Sequence, residues 1–374
     1  MDALMKKIMG CEACCTIANA MGDVTETYSW EEIEKRWGFV DSMLPQTKWG
    51  RAGELEDRTW YQQFGPPLKY YKHTRPPGQT EDGHERHRLV CSAIIRKGGR
   101  IDTLDLAETW EKDITPDKFG YLLGPQDQVI YYSMLAGVPP WEVGRYASWP
   151  GLIGTSKMII PIGIINACNP AQAAQDAYEL GRIKDVRGVK GNYALEVCAG
   201  LAAAAAEAMK TDATVDSIID TALSYLSRTP LEEVQENLKI AKDTGDWKAL
   251  RPYYADKYRG HSASNAVEVL SGGLSCFYLA EGKPKESILY AVNFGRDTDC
   301  KAYVSGGLAG ALCGIDDVPA EWVKVIEEQV VTDPYTVAPR TVEETSKGLY
   351  KATVNTLEAM KAASANIEKL IAAN

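Results

Sequence analysis

The residues best able to do chemistry in this chain fall in two acidic segments that lie far apart in the sequence. The first is Pro77-Gly-Gln-Thr80-Glu81-Asp82-Gly83, a hydroxyl and two adjacent carboxylates between glycines. The second is Phe294-Gly295-Arg296-Asp297-Thr298-Asp299-Cys300, where one helical pattern ends and the next begins. Hard divalent cations take oxygen ligands, and Mg²⁺ is typically held by a few carboxylates plus water. An Asp-x-Asp pair at a helix start can aim both carboxylates at one ion, and the helix N-terminus tolerates their charge. Each segment also reads as plain helix capping. Thr-Glu-Asp is a common cap, and Asp297-Thr-Asp299 suits the start of a helix running to Cys313. On these residues alone, both readings stand.

Other constellations do not complete a site. His84-Glu-Arg-His87 has its histidines three positions apart, whereas the zinc-protease helix needs four, so an ordinary helix surface is expected there, with a place beside the metal ions as the alternative because Thr80–Asp82 immediately precede it. Cys11-x-x-Cys14-Cys15 has no second pair to close a zinc site and reads as small residues on one helix face. No P-loop, Gly-x-Ser-x-Gly elbow or dinucleotide fingerprint occurs.

The elements that must position these residues are helical. Pro170–Leu180, 192–209, 215–226, 230–242 and 263–281 carry apolar residues at spacings of three and four, as do 284–293, 302–313, 320–331 and 341–372. Start signals support them: Asn169 before Pro170, and Thr229 before Pro230 with Glu232 and Glu233 close behind. Strict alternation of β-branched residues is nearly absent, and Val129–Tyr132 is the best short strand candidate. An all-α bundle in a single domain over 1–374 is expected. The stretch from about 27 to 79 reads differently, as an irregular insertion dense in aromatics (Trp30, Trp37, Trp49, Trp60, Tyr61, Tyr70, Tyr71) that pack on the core or close a pocket.

Composition narrows the function classes. The chain has 374 residues, 45% of them hydrophobic, with a formal charge of -10. That balance argues against a nucleic-acid surface, which needs a basic stripe to replace counterions, and against anionic membranes. Lys6 and Lys7 precede an apolar run, but Glu12 and Asn19 interrupt it, so no secretory leader is expected. The nine cysteines are odd in number and scattered, which fits reduced thiols and a cytoplasmic setting.

The context of the acidic segments resembles the ADP-ribosylglycohydrolase family, which includes hydrolases that remove ADP-ribose from modified dinitrogenase reductase and from ADP-ribosylated Arg or Ser. Members carry Gly-Gly-Asp-Thr-Asp, a small-residue helix, then Gly-Ile-Asp-x-x-Pro-x-x-Trp. Here the chain reads Phe294-Gly-Arg-Asp-Thr-Asp299, then Ser305-Gly-Gly-Leu-Ala-Gly-Ala-Leu-Cys-Gly-Ile-Asp-Asp-Val-Pro-Ala-Glu-Trp322. Gly306, Gly307, Gly310 and Gly314 are expected to let that helix approach its neighbours closely. Ala18-Asn-Ala-Met-Gly-Asp-Val-Thr-Glu26 is similar to the N-terminal family motif, Thr80-Glu-Asp82 to its Thr-Asp-Asp, and Gly154-Thr-Ser-Lys-Met-Ile-Ile-Pro-Ile-Gly163 to its diphosphate-contacting Gly-rich loop. Together the matches span residues 18 to 322.

What the resemblance implies is a compact orthogonal helical bundle around two Mg²⁺ ions, with Mn²⁺ as the substitute. Thr80, Glu81, Asp82, Asp297 and Asp299 become ligands, with Glu26, Asp82 and Asp299 in catalysis. Asn19, Gly154, Thr155, Ser156, Gly295 and Arg296 become substrate contacts. Cys300 stands where relatives place a ligating Thr; magnesium avoids thiols, which leaves it a bystander. Arg296 replaces a small residue and either holds an anionic group or balances the aspartates. Asn19 and Glu81 each replace an Asp, and the His expected after the Gly-rich loop is missing, the stretch from Arg182 to Lys190 being basic instead. The implied reaction is hydrolysis at a ribose anomeric carbon, on an ADP-ribosylated protein or small acceptor. A smaller N- or O-glycoside is the alternative, and a catalytically inactive binding member the second.

Overall fold

The computed structural model describes residues 1–49, 72–120, 123–146, 150–186 and 193–373. The expected aromatics Trp60, Tyr61, Tyr70 and Tyr71, and the basic run 187–190, lie outside the described residues. The helices are α1 (Ala3–Gly22), α2 (Trp30–Trp37), α3 (Asp82–Lys97), α4 (Thr103–Asp113), α5 (Pro125–Leu135) and α6 (Pro140–Val143). They continue as α7 (Ile160–Ile165), α8 (Pro170–Gly181), α9 (Ala194–Ala208), α10 (Val215–Leu223), α11 (Arg228–Thr244) and α12 (Trp247–Lys257). The last five are α13 (Ala266–Leu279), α14 (Pro284–Val292), α15 (Thr298–Cys313), α16 (Ala320–Val330) and α17 (Val342–Ala372). The fold is all-α, as expected. Among the described residues one antiparallel strand pair interrupts it, Gln46–Trp49 against Lys72–Arg75, in register Gln46 to Arg75.

Two expectations need correction. Val129–Tyr132, the best strand candidate, lies inside α5, where Pro125 starts a helix and turn-to-turn hydrogen bonding overrides β propensity. The 27–79 region is not wholly irregular. Ser29 and Glu32 form a reciprocal capping box that starts α2. A smaller difference is the start of α11, which begins at Arg228 rather than Pro230. Proline is tolerated anywhere in a first turn, because those N–H groups have no helical partner.

At the centre, α1 and α15 are buried on nearly all sides, and α9, α13, α14 and α17 pack around them. The close crossing of α1 and α15 needs small residues. A Cβ at Gly310 would stand 2.2 Å from the Gly10 carbonyl oxygen, and one at Gly307 would stand 2.9 Å from Cys15 Sγ. The glycine spacing of the Ser305–Trp322 segment is therefore explained by packing. Cys11, Cys14 and Cys15 are buried along α1, in keeping with the small-residue reading. None of the described helices is long and apolar enough to cross a membrane.

Candidate functional site

Two helix N-termini bring the acidic segments together. Glu81 is the cap residue of α3, its Oε1 accepting from Gly83 N at 2.8 Å. Asp297 caps α15, its Oδ1 accepting from Cys300 N at 3.2 Å, and Asp299 follows in the first turn. The capping reading is thus correct for both motifs, and it leaves oxygens over. Asp297 Oδ2 and Asp299 Oδ1 are buried and have no hydrogen-bond partner among the described residues. Positive helix ends offset some of the clustered negative charge.

The turn after α1 locks onto the same place. Thr25 Oγ1 donates to Thr298 Oγ1 at 2.9 Å and Thr298 Oγ1 to the Gly22 carbonyl at 2.9 Å. Gly22 is required here, since a Cβ would lie 2.3 Å from Asp299 Cα. Beyond that turn, the partly buried Glu26 reaches the rim. Glu26, Glu81, Asp82, Asp297 and Asp299 all line one open cleft of about 580 Å³. Burial, then repulsion from Asp297, Glu81 and Asp82, pushes the Glu26 carboxyl up to about 8, with Lys157 pulling the other way. Burial and the charge of Asp297 likewise raise the Cys300 thiol, keeping it protonated.

The cations that line the cleft are paired with its carboxylates. Arg86 of α3 binds Asp82 at 3.1 Å and Asp127 of α5 at 2.6 Å. Lys184 also contacts Asp127. Burial opposes the Asp127 charge, but Arg86 and Lys184 hold its carboxyl below the usual range. Lys157, from the short 3-10 segment Ile153–Met158, contacts Glu81 Oε1 at 2.8 Å and also Asp299 Oδ2.

The remaining expected site residues are placed as follows. Asn19 is buried behind the carboxylates: its Nδ2 donates to Glu81 Oε1 at 2.5 Å and Asp299 Oδ2 at 3.4 Å, and its Oδ1 accepts from Glu81 N at 2.9 Å. Thr80 is buried, with its hydroxyl accepting from Arg88 at 3.4 Å. Of the Gly-rich loop, Gly154 lines the cleft, whereas the Thr155 and Ser156 side chains are buried. Gly295 faces the start of α2, where a Cβ would meet Trp30 N at 2.8 Å.

Arg296 is a correction. It neither faces the cleft nor balances the aspartates; it makes a two-pronged pair with buried Glu268 at 2.8 and 2.9 Å and bonds the His261 and Ser262 carbonyls. His84-Glu-Arg-His87 is another, being buried rather than a helix surface. His87 bridges Glu12 at 3.0 Å and Tyr303 at 2.8 Å, and His84 meets Thr16 at 3.1 Å. Residues that sequence reasoning passed over include Gln126, Asp127 and Ser264, which carry no local motif. Lys157 did carry a signal, being a lone cation inside a glycine-bounded apolar loop.

The donor set fits a hard divalent ion. The unbonded oxygens of Asp297 and Asp299 are both carboxylate, and with Cys300 these residues offer ligand atoms within 4.8 Å of one another.

Comparison with known proteins agrees with this architecture. A family profile described as ADP-ribosylglycohydrolase matches residues 1–356. Over 80 residues the chain is 30% identical to the ADP-ribosyl-[dinitrogen reductase] glycohydrolase of Rhodospirillum rubrum, a match spanning 21% of this chain and 27% of that protein. A solved structure described as an ADP-ribosylglycohydrolase-related protein complex shares the fold, with a TM-score of 0.64 at 18% identity over 94% of this chain and 100% of that one. With the family profile running from α1 into α17, the chain belongs to the ADP-ribosylglycohydrolase family.

Proposed function

We propose that the chain hydrolyses a ribosyl glycosidic bond in a Mg²⁺-dependent reaction, removing ADP-ribose from a modified protein or small acceptor. The observation that carries this reading is the convergence of Glu26, Glu81, Asp82, Asp297 and Asp299, from three parts of the chain, on one open cleft. Asp297 and Asp299 would hold the ion, with Glu81 and Asp82 beside them. When bound, the ion supplies positive charge that orients ribose hydroxyls and polarises a water. A departing aglycone leaves positive charge on the ribose ring, and the carboxylates lining the cleft stabilise that charge. Glu26, which lines the same cleft, would accept the proton of the attacking water in its ionised form, a form that positive charge beside it favours. Gly154, opposite, offers backbone rather than side chain to the ligand.

A smaller N- or O-glycoside is the second reading, and one observation favours it. Among the described residues lining the cleft, the cations Arg86 and Lys157 are both committed to carboxylates. A diphosphate would find little spare positive charge there. Calorimetric titration of ADP-ribose, with Mg²⁺ and then with chelator, separates the two. Metal-dependent binding supports the ADP-ribosyl substrate and leads to assays on modified Arg and Ser. Lack of binding, in protein that still takes up Mg²⁺, transfers the reading to the smaller glycoside.

A further inference from the structure

Lys157 stands where a metal centre has least use for a side-chain cation. Its side chain is 2% exposed and its ammonium lies between the two acidic motifs, 2.8 Å from Glu81 Oε1 and in contact with Asp299 Oδ2. The pocket is built to admit it. A Cβ at Gly83 would fall 2.5 Å from both Lys157 Cε and Nζ, so any larger residue at the start of α3 would displace the ammonium.

The lone pairs around Lys157 are used up. Glu81 Oε1 accepts from Lys157, from Asn19 Nδ2 at 2.5 Å and from Gly83 N at 2.8 Å. Asp299 Oδ2 accepts from Lys157 and, at 3.4 Å, from Asn19. Three donors at one carboxylate oxygen leave it no capacity for a metal ion, and a second cation at this point would meet the ammonium's repulsion at close range. The opposite oxygens differ: Asp297 Oδ2 and Asp299 Oδ1, both buried, have no hydrogen-bond partner among the described residues. The cluster is thus divided into a half already filled by a covalently tethered cation and a half still short of one.

We infer that Lys157 takes the place of one of the two divalent ions that the family resemblance implies, so that the chain binds a single divalent ion, at Asp297 and Asp299. This rests on reading the carboxylate cluster as a metal centre, and it narrows that reading. Asn19 has a matching role: an amide there donates to the same two oxygens as Lys157, where an Asp would add a further ligand and a further charge.

The test is a metal count on the full chain. Mn²⁺ serves as the probe, by equilibrium dialysis and by electron paramagnetic resonance. The wild type is expected to take one Mn²⁺ per chain, with the spectrum of an isolated ion. Lys157→Ala is expected to take two, with the broadened spectrum of a spin-coupled pair, and Lys157→Arg to remain at one. Two ions in the wild type overturn the inference and leave the metal centre standing, even if the Ala variant fails to fold. One ion in both wild type and a folded Ala variant also overturns it. No ion in the wild type removes the metal centre and the inference together. If the counts are one and two but neither ADP-ribose nor a smaller glycoside is bound or cleaved, the functional reading fails while the role of Lys157 holds.

Discussion

Asp297 and Asp299 each do two jobs. Asp297 caps α15 with one oxygen and keeps the other buried without a hydrogen-bond partner among the described residues, while Asp299 anchors Lys157 and Asn19 with one oxygen and leaves the other likewise unbonded. Removing either carboxylate should therefore cost divalent-ion binding more than fold. Asp297→Ala and Asp299→Ala are expected to weaken Mg²⁺ affinity by at least about 100-fold, beyond the range lost when only an outer-shell partner goes. Far-ultraviolet circular dichroism should remain helical. Calorimetry on both variants checks this, and unchanged affinity in the two would remove the site assignment. Arg296 gives the contrasting case. Its guanidinium is spent on buried Glu268, which Lys301 also contacts at 3.1 Å. Arg296→Ala should lower stability by about 1–3 kcal/mol, the cost of leaving a buried carboxylate underbonded. Ligand affinity should stay nearly constant, and denaturant unfolding beside ligand titration reads both quantities. Loss of affinity without loss of stability would return Arg296 to the substrate.

At the scale of elements, α3 carries the site on its first residues and its anchorage behind them. Glu85, fully buried, accepts from Val337 N at 2.6 Å and Thr336 Oγ1 at 3.2 Å, tying α3 to the segment before α17. Burial raises its carboxyl to about 7, against the opposing pull of Arg88 and the Val337 amide. The sign follows from proton counting. Below the ordinary carboxyl value near 4.5, both folded and unfolded chains hold the proton and nothing is lost. Between 4.5 and about 7, only the unfolded chain releases it, so stability falls as pH rises. The span corresponds to roughly 3 kcal/mol. Denaturant unfolding at pH 5 and pH 7.5 should show the wild type losing stability that Glu85→Gln retains; parallel losses in the two proteins would sink the assignment. Glu85 also shows where sequence reading stops. The start of α3 and the glycines of α15 were legible, because caps and small-residue spacing are local signals. His84 and His87 were misread as surface because Thr16, Glu12 and Tyr303, which bond them, come from α1 and α15. Arg296 was misread for the same reason, since Glu268 sits on α13. α12 escaped notice because Pro252 lies inside it and breaks the apolar pattern. Polar residues are placed by long-range partners, and spacing along the chain does not report them.

For the whole molecule, the question is what holds six carboxylates, Asp127 included, together in one cleft. Asn19, Lys157 and Arg86 offset part of the repulsion, and the Glu26 carboxyl, raised first by burial, is raised further by Asp297, Glu81 and Asp82. A bound divalent ion should therefore stabilise the folded chain measurably. Ligand present at about 100 times its Kd adds roughly 2.7 kcal/mol through mass action. Unfolding entropy runs near 2.1 cal/mol/K per residue. For 374 residues unfolding as one unit, Tm should rise by about 3 °C. Asp297→Ala, with one ligand gone, should lose most of that rise. Lys157→Ala should behave in the opposite sense: a lower Tm without metal, because buried carboxylates lose their tethered cation, and a larger rise with Mg²⁺, because two ions then bind instead of one. Scanning calorimetry on the three proteins, with Mg²⁺ and with chelator, reads the pattern directly. Equal shifts in all three would mean that the ion binds elsewhere on an acidic surface, and that the carboxylates of the cleft are held together by the protein alone.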